Sequence, residues 1–319
     1  MTLAAFIVNR TLVRDLAGFR HRCRAAAAQA GCDPRFFETT VDERGPRLAQ
    51  QAVAAGAGLV FAAGGDGTVR ACAQALAGSG VPLAILPLGT ANLAARALGL
   101  PSSPAAALGT GFRGLDRRID LAAADGTPFV AMAGMGLDAE VVSGTPRLLK
   151  RRLGWAAYAM SGVSHLAGRP REFTVSLDGG PPFPARARSV VVGNTGLLPG
   201  GFWLLPGARM DDGVLDVGVL AASSALDWAR VARAVLTASG HDTRPLARHR
   251  ARTVEIRAGT DLPREIDGEI VSPGRGLTVT VQPGALLVRV ARPGVVRPHG
   301  WGAWHRAGTW ADRGSGRLS

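Results

Sequence analysis

The sequence predicts an α/β chain, with an N-terminal parallel α/β domain and a C-terminal antiparallel β-rich domain. Three observations carry this. Between Gly58 and Pro101 two apolar runs of strand length, Gly58–Ala63 and Val81–Leu86, each end in a glycine-bearing turn. After each turn the apolar positions switch to helical spacing, at Val69, Cys72 and Leu76 and then at Leu93, Ala97 and Leu98. Strand, turn and helix, repeated, is the grammar of a parallel sheet with a ligand crevice at its strand ends. From Phe129 onward the pattern becomes short alternating strands between Gly/Pro turns, as in an antiparallel sheet.

Taken in order, Leu3–Val8 reads as the first strand, ending at Asn9. Asp15–Ala30 is an amphipathic helix with basic exposed positions, stopped by Gly31, and Phe36–Thr40 is a second strand. Leu48–Ala55 is a helix leading into the central stretch. Ser102–Ala107 is expected as a low-complexity loop. Further on, Gly134–Ala139 reads as a turn into a helix, and Arg147–Leu166 as one helix with Lys150, Arg151 and Arg152 at its start. That cluster opposes the helix dipole, which suits phosphate contact, although a solvated charged face explains it equally. Phe173–Asp178, Arg188–Gly193 and Arg250–Arg257 read as strands, Leu226–Leu236 as a helix, and Leu277–Val281 and Ala285–Val290 close the sheet.

The turn Gly64-Gly65-Asp66-Gly67-Thr68 carries the most chemistry. Its glycines allow an anion close to the backbone amides, and the helix start behind it suits phosphate. The Thr68 hydroxyl is a donor to a phosphate oxygen. Asp66 repels phosphate unaided, so it addresses a magnesium ion or a substrate proton. Neither a P-loop nor a dinucleotide fingerprint is present. A glycine turn with a helix-capping Asp accounts for the same residues without function. The Asp211-Asp212-Gly213 turn lies in a carboxylate-rich loop that suits a hard cation, while Asp-Gly is also a hairpin signal.

Composition narrows the partners. The net charge is +13, almost all of it arginine, and favours anionic surfaces. With one Tyr and ten Phe there is no aromatic-basic interleaving of the kind that stacks nucleic acid, so a membrane surface is the better reading. Three cysteines without metal-ligand spacing suit a reducing, cytoplasmic setting. No apolar run of transmembrane length is found, so no transmembrane segment is expected.

Gly64–Thr68, followed by Pro87-Leu88-Gly89-Thr90-Ala91-Asn92, resembles the catalytic domain of the diacylglycerol kinase and sphingosine kinase superfamily, in its soluble bacterial branch. Gly193–Val217 and Ile266–Glu269 match the same family in order, so the resemblance spans about residues 3–290. It implies a diacylglycerol-kinase catalytic, nucleotide-binding domain over 1–122 and a β-sandwich-like lipid-substrate domain over 123–292. The tail 293–319, rich in Arg and Trp, lies outside it: disordered by default, or an anchor at the bilayer interface. The activity implied is ATP-dependent phosphorylation of a lipid hydroxyl, most directly diacylglycerol to phosphatidic acid, with magnesium.

Residue by residue, the resemblance assigns nucleotide contacts to Asn9, Thr40, Gly64, Gly65, Asp66, Gly67, Thr68, Val69, Arg70, Thr90 and Asn92. Asp66 organises the catalytic magnesium, and Glu269, brought to the cleft from the far domain, takes the hydroxyl proton; Asp66 is the rival base. Burial in that cleft is expected to raise the Glu269 pKa. Asp212, with the carbonyls of Arg209 and Val214, would hold a structural magnesium, and Asp120 matches an acidic residue near the cleft. Two departures stand out. The turn after the first strand lacks glycine, and Leu93 replaces a carboxylate that usually follows the Asn. The latter feeds two other readings, a kinase for another lipid or alcohol (a sphingoid base, phosphatidylglycerol, NAD) and a non-catalytic lipid sensor. The partners expected are a lipid at the inner membrane surface and, as an open option, a second copy of the chain.

Overall fold

In a computed structural model, residues 1–40, 45–136, 170–198, 201–240 and 244–292 are described. The helix expected over 147–166 with its basic cluster, residues 137–139 of the turn expected at 134–139, and the tail 293–319 lie outside them, and Gly134 and Met135 of that turn are strand. The chain divides into two units, Met1–Arg118 with Leu286–Ser319, and Ile119–Ala285.

The first unit is a parallel sheet of β1 (Thr2–Asn9), β2 (Cys32–Thr39), β3 (Ala57–Gly64) and β4 (Leu83–Pro87), in the order β2-β1-β3-β4. Its central strands are continuous apolar runs because helices cover both faces of a parallel sheet. Phe6, Phe61, Leu86 and Val8 are buried, with the Phe6 and Phe61 rings stacked at 4.4 Å. The connecting helices are α1 (Leu16–Gln29), α2 (Gly45–Ala54), α3 (Asp66–Leu76), the short α4 (Leu93–Ala97) and α5 (Pro104–Arg113). Asp15 caps α1 by accepting from Gly18 N at 2.8 Å. The loop expected at 102–107 is thus largely helix. Pro104 near the start fixes a helical φ, and the alanines after it are the best helix formers.

The second unit is antiparallel. β5 (Leu115–Ala124), which enters it from the first unit, pairs with β6 (Thr127–Phe129). Then come β7 (Met132–Met135), β8 (Arg171–Leu177), β9 (Phe183–Ala187), β10 (Ser189–Gly193), the small β11 (Leu197–Leu198) and β12 (Phe202–Trp203), and β13 (Leu215–Leu220). After helix α6 (Ala225–Leu236) follow β14 (Leu246–Ala251), β15 (Thr253–Ile266) and β16 (Glu269–Val290). The sheet runs β14-β13-β10-β7-β15-β16, with β8 also on β15. Phe129, Phe173, Val192, Val217, Ile256 and Val279 form its core.

Two strand assignments change. The expected strand 250–257 is divided at Arg252 between β14 and β15, and the two closing strands are one long β16. The far end of β16 returns to the first unit, where Val288 pairs in parallel with Leu83. Among the described residues no helix is long and apolar enough to cross a membrane.

Candidate active site

Register places the predicted residues of the first unit. Asn9 pairs with Thr39, Val8 with Ala63, and Gly64 with Pro87. Asn9, Thr40, the Gly64–Thr68 turn and the Gly89–Asn92 turn therefore all leave the carboxyl end of one parallel sheet. The strand order reverses between β1 and β3, which is where such sheets bind ligands.

The two glycine turns touch through their backbones. A Cβ built on Gly89 would stand 2.5 Å from the Gly65 Cα, so only glycine permits the approach. Leu88 N donates to Gly64 O at 2.9 Å and fastens the turns further. Asn92 shapes the second turn from inside. Its φ is 48°, its Oδ1 accepts from Gly89 N at 3.0 Å, and its Nδ2 donates to Gly89 O at 2.7 Å. Asn92 is buried, as are Thr68 and Val69, and the Thr68 side chain lies against Gly64. Thr90 and Thr40 are exposed, and Arg70 is half-buried. The Asn9 carboxamide is engaged locally, accepting from Thr11 N at 3.1 Å and Thr11 Oγ1 at 2.7 Å.

Asp66 is the first residue of α3, behind the N-cap Gly65, and it is half-buried. Burial raises its pKa above the usual value, and backbone amides of Ala94, Leu93 and Asn92 oppose the rise without cancelling it. Ala94 N lies 3.4 Å from its Oδ1. Burial lowers the guanidinium pKa of Arg96, and the nearby Asp66 carboxylate opposes that fall. A carboxylate set between two helix starts, beside two touching glycine turns, can hold a hard cation or accept a proton.

In the second unit, Asp267 and Gly268 form the two-residue turn between β15 and β16, with φ of 49° and 81°. Positive φ at both central residues fits a type I′ hairpin turn, which Asp-Gly favours. The Asp267 carboxylate accepts from the amides of Val130, Ala131 and Met132 at 3.0, 2.8 and 3.1 Å. It pins the hairpin to the start of β7. Glu269 begins β16 and is exposed, so the burial expected of it is not found. The neighbouring carboxyl that burial does affect is Glu265, with a raised pKa, a 3.0 Å bond from Gly268 N that opposes the rise, and Asp267 adding to it. No sequence signal singled out Glu265.

The Asp-Asp-Gly segment is not a hairpin, since β13 pairs with β10 and β14 and with no strand immediately before it. It is a loop stapled by Asp120, which is buried. The Asp120 carboxylate accepts from Gly213 N at 2.7 Å and Gly284 N at 2.8 Å. Asp212 accepts from Val214 N at 3.3 Å and pairs with the guanidinium of Arg250, which also lies 3.7 Å from Asp216. Burial raises the Asp216 pKa, against the pull of Arg250. The Arg250 guanidinium supplies positive charge beside both carboxylates. Among the described residues no group of three or more His, Cys, Asp and Glu could hold a metal.

Comparison with known proteins agrees with this architecture. The diacylglycerol kinase catalytic domain matches residues 4–124, and the YegS C-terminal NAD kinase beta sandwich-like domain matches 131–290. A probable lipid kinase YegS-like protein of Pseudomonas fluorescens is 39% identical over 270 residues, covering 83% of this chain and 88% of that protein. A Bacillus anthracis crystal structure provisionally assigned as a diacylglycerol kinase superposes with a TM-score of 0.77 at 25% identity, covering 92% of this chain and 96% of that one. Yeast NADH kinase complexed with NADH shares the fold alone, with a TM-score of 0.51 at 10% identity over 92% of this chain and 84% of that one.

Proposed function

Since the chain belongs to the diacylglycerol kinase family, in its YegS-like lipid kinase branch, we propose that it transfers the γ-phosphoryl group of ATP to the hydroxyl of diacylglycerol. The observation that carries this is the pair of touching glycine turns at the carboxyl end of β3 and β4, with half-buried Asp66 between two helix starts.

Phosphoryl transfer needs alignment and charge neutralisation more than covalent chemistry. The amides of Gly65, Gly67 and Thr68 and the Thr90 hydroxyl would line the triphosphate, and Thr40 and Asn9 would border it from β2 and β1. Gly64 and Asn92 serve by shaping the turns; Val69 packs behind them, and Arg70 supplies nearby positive charge. Asp66 fits a magnesium ion carried with the nucleotide, which when bound neutralises phosphate charge. Asp212 with the carbonyls of Arg209 and Val214 would hold a structural magnesium in exchange for Arg250.

Glu269, from the second unit, is our first assignment for the base that takes the acceptor hydroxyl proton. Asp66 is the second, favoured by its raised pKa, since a base works best with a pKa near the working pH. The test is ATP-dependent incorporation of labelled phosphate into extracted lipids, followed by identification of the product. Labelled phosphatidic acid supports the proposal. A different labelled lipid would replace the substrate, and no labelled lipid from active, nucleotide-binding protein would overturn the activity.

A further inference from the structure

A second site lies in the second unit, at the C-terminal end of α6. A cavity of about 550 Å³ there is lined by Arg230, Arg233, Ala234, Thr237, Ser239 and Arg244. Three arginines line one hollow, and Arg230 pairs with Asp227 at 3.4 Å. Among the described residues Arg233 and Arg244 make no ion pair, and both are exposed.

A cation in the last turn of a helix often serves the helix itself, by answering its terminal carbonyls. Those carbonyls are already answered here. Arg233 O accepts from Thr237 N at 2.9 Å and from Thr237 Oγ1 at 2.8 Å, and Ala234 O accepts from Ser239 N at 2.9 Å. The helix start needs no cation either, because Ser224 and Asp227 form a capping box. Among the described residues the guanidinium groups of Arg233 and Arg244 are thus left to something outside the chain, and that partner is an anion.

The surroundings say which anion. α6 buries Val231, Ala234 and Val235 against the sheet, yet exposes Leu226 at 60% and Leu236 at 57%. At 3.6 residues per turn, Leu226, Arg230, Arg233, Leu236 and Thr237 fall within ~120° of helical arc. The outward stripe is two leucines flanking two arginines, with Arg244 beside them. A free phosphate has no use for the leucines. A bilayer does: apolar side chains enter the acyl boundary while arginines meet the phosphates above it.

We propose that this cavity and the α6 stripe form a docking surface for anionic phospholipid, with a phosphodiester headgroup held by Arg233 and Arg244. The inference rests on the lipid-kinase reading in one respect, that such an enzyme must meet a membrane. The binding itself needs neither ATP nor Asp66.

The test is cosedimentation of the full chain with vesicles of phosphatidylcholine alone, or of phosphatidylcholine mixed with phosphatidylglycerol. The parent should bind only the mixed vesicles, and less so as salt is added. Arg233→Gln with Arg244→Gln should weaken that binding at least ~10-fold, the scale expected for two cations at an anionic surface. Arg233→Lys with Arg244→Lys should retain it, and Leu226→Ser with Leu236→Ser should weaken it several-fold without changing the salt response. These side chains are exposed, and melting curves will establish that each variant is folded; should the Gln pair fail to fold, the Lys and Ser pairs decide. Unchanged vesicle binding in the folded Gln pair overturns the proposal. So does a Gln pair that loses inorganic phosphate binding by calorimetry yet keeps its vesicle binding, which would make this a soluble-phosphate site. Phosphate transfer to detergent-dispersed diacylglycerol, measured without any bilayer, tests the kinase reading separately.

Discussion

At Asp66 the chain accepts an electrostatic cost that the fold does not need. Burial raises its pKa above the usual 3.8, so the folded protein binds this proton more tightly than the unfolded chain does. Its contribution to stability is complete below the unfolded value and is lost as pH rises through the folded one. Asp66→Asn removes that loss while keeping an acceptor for the Ala94 amide. The variant should melt above the parent at neutral pH, with the difference fading as pH falls through the raised folded value and gone below about 3.8, and its turnover should drop at least ~10²-fold. Melting and turnover that both match the parent would deny Asp66 its role. Gly89 makes the opposite prediction. A methyl group placed 2.5 Å from the Gly65 Cα must push the turns apart, so Gly89→Ala should cost about 1–3 kcal/mol in chemical denaturation and weaken nucleotide binding. A variant with parental stability would show that the turns do not hold one another.

At the scale of elements, the β15–β16 hairpin and the Asp212 loop are both tied down by carboxylates on backbone amides. Asp267→Ala orphans three amides at the entry to β7, and should destabilise the protein by about 3 kcal/mol in chemical denaturation. A loss under ~1 kcal/mol would mean that water replaces the carboxylate there. In the Asp212 loop, Arg250 competes with a bound cation. Removing it by Arg250→Ala should make the melting temperature rise with added magnesium more steeply than in the parent, and Asp212→Ala should abolish the response. Indifference of all three proteins to magnesium and chelator would leave the loop to Arg250 alone. Elements with their own periodicity or capping, such as β1, α1, α3 and α6, were legible in the sequence. The helix Pro104–Arg113 was not, because the buried face it presents is mostly small, Ala107 and Gly111 around Leu108, and the Ser-Ser-Pro-Ala-Ala-Ala opening reads as loop. Nor was the break at Arg252 legible. The pleat repeats on both sides of it, and the turn depends on Asp178, remote in sequence, whose Oδ1 accepts from the amides of Arg252 and Thr253 at 2.7 and 2.8 Å.

For the whole molecule, the glycine turns were readable because their chemistry is local: a few residues, in order, specify a backbone shape. Residues that act through partners distant in sequence were not. Asp120 matches an acidic residue near the cleft, but its stapling of two amides 93 and 164 residues away is not legible in the sequence. Glu265 was passed over because its burial depends on how the hairpin folds. The choice of base belongs to this scale too, since Asp66 and Glu269 come from different units. Glu269→Gln should cut turnover ~10²–10⁴-fold at nearly unchanged nucleotide affinity if it is the base. Near-parental turnover, with Asp66→Asn inactive, assigns the proton to Asp66. The most direct test of the central claim is ATP-dependent phosphate transfer to diacylglycerol by the parent chain and by folded Asp66→Asn, measured side by side. The account predicts labelled phosphatidic acid from the parent and at least ~10²-fold less from the variant. Equal rates from the two proteins, or a parent that binds ATP and labels no lipid, would contradict it.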